Sequence, residues 1–264
     1  MRQTRTTHAL MIARPGREEV AQGGLAELAA LDALLADLTE ADWRRRPTAS
    51  GWTVHELVAH LVGQHAETAR PWTIGGRVRA ARKRFPALSA LDAHNALQVE
   101  TFAPLSDGEL RRKLAAVGPR AVRMRRRTPA FVRRQGTERY FPGEPLVEPT
   151  LAYVLDVLSP RDTWLHRLEI ARATDRPFAA DPHQESVVAQ VVRDLAEEWA
   201  SPPLVLELDG AGQWRLGEGE PIAWVRASVL EYLWHLSGRP GNPEFDVDGD
   251  PAAVDALRAA RVVF

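Results

Sequence analysis

The sequence predicts a mainly α-helical chain that ends in a small α+β domain. Apolar residues recur at helical spacing in several separate stretches between residues 25 and 174, whereas a strand-like alternation around Asp209-Gly210 appears after residue 200. With 264 residues, 45% of them hydrophobic, the chain is long enough for two domains with their own cores. We expect a helical domain at residues 1–179 and an α+β domain at residues 180–264, divided within the segment DRPFAADP.

The composition limits the chemistry and the partners. A formal net charge of −1 with 26% charged residues gives no global sign of a nucleic-acid or membrane-surface protein. No stretch approaches the roughly 20 apolar residues of a membrane span, so a cytoplasmic protein is expected. The sequence has no cysteine, so a protein thiolate is excluded and a metal would bind His, Asp or Glu.

Two helices are expected before residue 71. The first covers residues 25–43, LAELAALDALLADLTEADW, which are strong helix formers with apolar periodicity. The second begins after Thr53, whose hydroxyl and the Glu56 side chain form the pattern of a capping box. It should continue to about Arg70, since Pro71 follows.

Residues 88–174 predict three further helical stretches. Residues 88–102 form one helix, and residues 106–126 a second that is broken around Gly118 and Pro119. Glycines and prolines predict a loop over residues 136–149. Residues 151–174 return to helical pattern, with Ser159 and Pro160 as the start of a new turn or a kink.

The C-terminal part mixes helices and strands. Residues 187–200 predict a helix, and PLVLELDGAGQWRLGEGE a hairpin around Asp209-Gly210. SVLEYLWHLSG is an amphipathic helix that ends at Gly238. Residues 245–260 predict one more strand and one more helix, which completes an α+β domain.

Three histidines fall on the second predicted helix. Its buried stripe is defined by apolar residues at helical spacing, namely Val54, Leu57, Val58, Leu61 and Val62. His65 falls within this stripe, which predicts a core histidine. His60 falls on the opposite side, so periodicity alone predicts that it faces solvent.

Asp162 and His166 form an i, i+4 pair on a later helix. Their Cβ atoms should lie about 5–6 Å apart, close enough to bind one ion. The alternative is that Asp162 complements the positive end of the helix dipole while His166 faces water. A two-residue pattern does not decide between these interpretations.

Three motifs together resemble a known family. GWTVHELVAHLVG, RDTWLHRLEIARAT and VLEYLWHLSGR occur in an order and at a separation similar to those of the mycothiol-dependent maleylpyruvate isomerase family. The resemblance implies an N-terminal DinB-like four-helix bundle followed by a small sterol-carrier-protein-like α+β domain. The small domain and the bundle together account for nearly the whole chain.

The resemblance also implies a site. Its metal ligands fall on His60, Asp162 and His166, although the isomerase carries a glutamate where this chain has Asp162. An arginine of a Gly-Arg pair that serves activity falls on Arg239, which would bind a carboxylate of the substrate or cofactor. The alternative for Arg239 is a surface arginine after a helix C-cap.

The ligand types favour zinc, with nickel or iron left open. The resemblance further implies mycothiol as a thiol cosubstrate, activated by the metal for isomerase or S-transferase chemistry on a small electrophile. The alternatives are a non-catalytic ligand-binding or regulatory protein, or a metal-dependent hydrolase with Glu169 or His65 as base. A monomer or homodimer is expected.

The segment 111–135 holds ten basic residues and no acidic one. It could contact nucleic acid or an anionic cofactor. A solvated face paired with acids elsewhere is favoured, because aromatic residues that would stack on bases are few. We therefore expect no nucleic-acid partner.

Overall fold

The computed structural model describes residues 6–47, 51–144, 146–179 and 183–264. Contacts divide the chain into two compact units: a helical unit, Pro15–His183, and a second unit built from Gln184–Phe264 and the segment that ends at Arg14. The division predicted at residues 179 and 180 had placed this N-terminal segment with the helices. The predicted fold class, mainly helical with a small α+β part, is confirmed.

The helical unit consists of nine α-helices within its described residues. They are α1 (Arg17–Ala36), α2 (Glu40–Arg44), α3 (Val54–Thr68), α4 (Ile74–Arg84), α5 (Ala90–Phe102), α6 (Asp107–Arg127), α7 (Ala130–Arg133), α8 (Leu151–Tyr153) and α9 (Ser159–Ala173). A π-helical segment, Val154–Leu158, joins α8 to α9.

Four of these helices form a bundle. α1 packs on α6 and α9, and α3 packs on the same two helices, so the four enclose one core. α5 adds a further layer on α3, and α4 covers α5. The core includes Leu31, Leu57, Leu61, Leu110 and Ile170, each with 0% exposure.

The first helix differs from its predicted bounds. α1 begins at Arg17, earlier than expected, because Glu19 accepts a hydrogen bond from the Gly16 amide at the N-terminus. The predicted single helix 25–43 is wrong at its other end, since the chain leaves the helix at Asp37 and starts α2 at Glu40. Thr39 and Asp42 form a capping box that starts this second helix.

The break predicted at Gly118 and Pro119 is also wrong. α6 passes through both residues without interruption. A Cβ atom on Gly118 would lie 2.8 Å from Leu28, so the glycine allows α1 and α6 to approach closely. Packing of this kind outweighs the cost of a proline in the helix.

The other predicted helices are confirmed with small shifts, and Thr53 and Glu56 form the expected capping box at α3. The predicted stretch 151–174 is helical from Leu151 to Ala173, but Ser159 does not start a helix as a cap. Instead the Ser159 amide bonds to the carbonyl of Val154, which is the π-helical pattern. The sequence prediction missed α4.

The second unit contains a five-stranded mixed sheet of order β1-β3-β2-β4-β5. The strands are β1 (Thr7–His8), β2 (Leu204–Leu208), β3 (Gly212–Leu216), β4 (Ala223–Ala227) and β5 (Phe245–Gly249), and the helices are α10 (Gln184–Glu197), α11 (Val229–Leu236) and α12 (Ala252–Ala259). β2 and β3 form the predicted antiparallel hairpin, and β1 pairs with β3 in parallel. The sequence prediction missed β1 and β4.

α11 ends as predicted at Gly238, whose φ of +78° lies in the left-handed region that favours glycine. Across the described residues, no helix combines the length and apolar character that crossing a bilayer requires.

Candidate metal centre

His60, Asp162 and His166 lie together in the helical unit. His60 is on α3, and Asp162 and His166 are one turn apart on α9. One potential ligand atom from each residue can be chosen so that all three lie within 4.8 Å of one another. This spacing allows one cation to contact all three side chains.

The shortest contacts of the group are to the Asp162 carboxylate. His166 Nε2 lies 3.2 Å from Asp162 Oδ1, and His60 Nε2 lies 3.7 Å from Asp162 Oδ2. The two imidazole rings meet edge to face, with centroids 5.2 Å apart. Trp52 packs against the His60 ring, with centroids 5.4 Å apart. The ring of His60 is therefore confined on both sides.

Two further side chains contact the group from outside. Glu169 Oε2 lies 2.5 Å from His166 Nδ1, one turn along α9. The Gln64 amide Nε2 donates to Asp162 Oδ2 over 2.7 Å. The sequence gives only a modest signal for these two contacts. Gln64 stands four positions after His60, and Glu169 stands three positions after His166. The sequence alone suggests Glu169 only as a candidate general base.

His60 is buried, with 3% exposure, so the expectation from periodicity that it faces solvent is wrong. The apolar stripe itself is as predicted, with Val54, Leu57 and Leu61 fully buried. The reason is that α3 has neighbours on several sides, since α5, α6 and α9 all pack against it. His166, at 7% exposure, does not face water either.

The electrostatics of the group favour a positive charge. Burial disfavours the charged imidazolium, but the carboxylates of Asp162 and Glu169 outweigh burial and raise the pKa of His166 to about 10. Burial likewise disfavours the Asp162 carboxylate, yet His166 and His60 hold the pKa of Asp162 well below its ordinary value. The same two carboxylates that stabilise a proton on His166 would also stabilise a metal cation beside it.

The donor set fits a divalent ion. Two imidazoles and a carboxylate are ligands that zinc accepts, and three protein ligands leave at least one position open. Within the described part of the chain, His60 Nδ1 and Gln64 Oε1 are buried without a hydrogen-bond partner. Buried polar atoms without partners are uncommon and are typical of places that bind a ligand, a water or an ion.

The neighbouring histidines have other roles. His55 contacts Asp107 through Nδ1 and the carbonyl of Ala103 through Nε2. His65 is a core histidine, as predicted, with 1% exposure and Nδ1 bonded to the carbonyl of Leu61. Burial, followed by the charge of Arg125, lowers the pKa of His65 to about 3.

Arg239 belongs to the second unit. It is half-buried one residue after Gly238, and its guanidinium lies 5.8 Å from the centre of the Trp234 ring. The role of Arg239 in binding a carboxylate stays a prediction.

The basic segment 111–135 is partly paired with acids. Arg111 binds Asp32 over 2.7 Å, and Arg126 binds Glu18 over 2.9 Å. Arg133 contacts Asp156. These pairs agree with the interpretation of a charged face that is paired with acids elsewhere.

Comparisons with known proteins agree with this fold. The family profile described as Mycothiol maleylpyruvate isomerase N-terminal domain matches residues 25–171, a range that includes His60, Asp162 and His166. No curated protein sequence matches the chain.

Two solved structures are similar in fold. The crystal structure of the mycothiol-dependent maleylpyruvate isomerase has a TM-score of 0.57 at 16% identity, covering 89% of this chain and 95% of the other. A mutant of that enzyme with one histidine replaced by alanine has a TM-score of 0.56 at 14% identity, covering 90% and 97%.

Proposed function

Because this chain belongs to the mycothiol maleylpyruvate isomerase family, we propose that it is a divalent-metal enzyme that uses a low-molecular-weight thiol. The thiol is mycothiol, and the reaction is an isomerisation or S-transfer on a small electrophilic acid. The observation that carries the proposal is the convergence of His60, Asp162 and His166 from two helices, with ligand atoms within 4.8 Å. Zinc is the proposed ion, because the set combines two imidazoles with one carboxylate.

The three residues have distinct tasks. His60 and His166 supply neutral nitrogen donors, and Asp162 supplies the single negative charge among the ligands. A bound ion would supply Lewis acidity, which lowers the pKa of a thiol. Burial of both histidines limits the access of water, which strengthens the electrostatic interactions of the site.

The thiol has to come from outside, because the sequence contains no cysteine. The absence of a protein sulfur nucleophile is consistent with a thiol cosubstrate. Arg239 is proposed to bind a carboxylate of the substrate or cosubstrate through its planar guanidinium. The proposed location is the cytoplasm, and the proposed assembly is a monomer or homodimer without a nucleic-acid partner.

A metal-dependent hydrolase is less well supported. It needs a general base near the ion, and the two candidates are Glu169 and His65. Glu169 is engaged with His166 Nδ1. His65, with a pKa of about 3, is a very weak base at neutral pH.

The test combines a metal measurement with a reaction. Purified protein is assayed for zinc and nickel, then incubated with maleylpyruvate or a chromogenic electrophile, each with and without mycothiol. We expect bound metal, and turnover that requires the thiol and disappears in His60→Ala. Turnover of the electrophile in water without thiol would support the hydrolase, and a metal-free, inactive wild type would support a non-catalytic ligand-binding or regulatory protein.

A further inference from the structure

We infer that Gln64 and Glu169 are positioning residues that fix which atoms Asp162 and His166 present to the ion. The inference rests on the proposed metal centre, and it concerns two side chains that are not themselves among its three ligands.

Glu169 selects the ligand nitrogen of His166. A carboxylate accepts hydrogen bonds, so its contact of 2.5 Å places a proton on His166 Nδ1. The other nitrogen, Nε2, lies 3.2 Å from Asp162 Oδ1 and is left to bind the ion. Glu169 is fully buried, so its position is fixed by packing and its charge is poorly screened.

Gln64 fixes the carboxylate of Asp162. Its Nε2 donates to Oδ2 over 2.7 Å, and because the carboxylate only accepts, the orientation of the amide is determined. The bond uses part of the acceptor capacity of Oδ2, which favours Oδ1 as the ligand atom. Oδ1 is also the oxygen on the side of His166.

The two contacts therefore act on neighbouring ligands of one helix. Asp162 is held from α3 by Gln64, and His166 is held from α9 by Glu169. Loss of such supporting contacts in metal sites lowers metal affinity by roughly 10–100-fold. A purely structural role would change stability without changing the affinity of the folded protein.

The chain offers a matched control. Glu67, on α3, is buried as Glu169 is. It lies 2.7 Å from His94 Nε2 and so forms a second buried carboxylate–histidine contact. Glu67 and His94 are not among the residues whose ligand atoms converge. A change at Glu67 reproduces the loss of a buried charge without touching the centre.

The experiment measures the dissociation constants of Zn²⁺ and Co²⁺ by chelator competition in the full-length chain and records the visible spectrum of the Co²⁺ form. The variants are Glu169→Gln, Gln64→Leu and Glu67→Gln, each checked for folding by thermal unfolding. We expect the dissociation constant to rise roughly 10–100-fold in the first two and by less than about 2-fold in the third. The Co²⁺ spectrum should change in the first two variants only.

The outcomes separate the two proposals. If the wild type binds neither ion, the metal centre fails, and the positioning roles fail with it. If the wild type binds and both Glu169→Gln and Gln64→Leu bind with unchanged constants and spectra, the metal centre stands and the positioning roles are overturned. Gln64 is uncharged and only half-buried, so Gln64→Leu tests the inference even if Glu169→Gln does not fold.

Discussion

His60 Nε2 lies 3.7 Å from Asp162 Oδ2, although the two residues come from different helices, the second and the last of the four in the bundle. This contact is formed by packing of α3 against α9 rather than by local sequence. His60 is the one proposed ligand that α3 supplies. Its loss would leave Asp162 and His166, both on α9, as the remaining ligands.

Replacement of His60 by alanine should remove the metal. We expect His60→Ala to lose more affinity than the roughly 10–100-fold that follows loss of a supporting contact, because a direct ligand is removed. Elemental analysis of the purified protein measures this. His55→Ala is the control, since His55 lies on the same helix but contacts Asp107 and Ala103. Equal metal content in both variants would contradict the ligand role.

The stability of the metal-free protein should fall as pH rises through the range above neutrality. The pKa of His166 is raised from 6.5 to about 10, so its stabilising contribution is complete below about pH 6.5 and is lost as pH approaches 10. Urea unfolding at several pH values measures the loss. This fall in stability should be absent in His166→Ala. A fall of equal size in that variant would show that a group other than His166 causes it.

Bound zinc should reverse this dependence, since the ion replaces the proton on His166 Nε2. Affinity for zinc should increase with pH toward 10, because metal binding must release that proton. Calorimetry in buffers of different ionisation enthalpy counts the protons released. Binding without proton release would contradict the proposed site.

Gly63 should not tolerate a side chain. A Cβ atom there would lie 2.5 Å from the Cβ and 3.2 Å from the backbone Cα of Gln98 on α5, so Gly63→Ala should destabilise the fold by roughly 1–3 kcal/mol. Gly76 in α4 has nothing within 4 Å of a Cβ, so Gly76→Ala should stabilise the fold by about 0.5–1 kcal/mol. Chemical denaturation of both variants checks the signs. A neutral Gly63→Ala would mean that α3 and α5 can separate without cost.

The ion pair of Glu27 with Arg167 should be important for stability. Both residues are buried, and the guanidinium binds the carboxylate at 2.6 Å and 3.1 Å. Glu27→Ala should cost roughly 3–5 kcal/mol, because the Arg167 guanidinium would stay buried after losing this carboxylate. The exposed pair of Arg84 and Glu100 is the comparison, and Glu100→Ala should cost about 1 kcal/mol or less. Similar losses in both variants would show that burial does not decide the energy.

Features set by neighbours in the sequence could be predicted well. The capping box of Thr53 and Glu56 and the glycine that ends α11 depend on a few adjacent residues, and both are confirmed. The hairpin of β2 and β3 follows from its alternation and its turn.

Features set by distant parts of the chain could not. The burial of His60 depends on several helices packing around α3, and the continuity of α6 through Pro119 depends on its contact with α1. Strand β1 has two residues, and only its pairing with β3 more than 200 positions later defines it as a strand. The convergence of the three ligand residues was likewise expected from family resemblance and not from periodicity.

The pairing of Thr7–His8 with β3 has a practical consequence for dissecting the protein. A fragment that starts at Gln184 would lack β1 and leave the backbone groups of β3 without their native partner along one side. Such an open edge pairs readily with other chains, so this fragment should self-associate. Supplying residues 6–14 as a fused or added peptide should keep it dispersed.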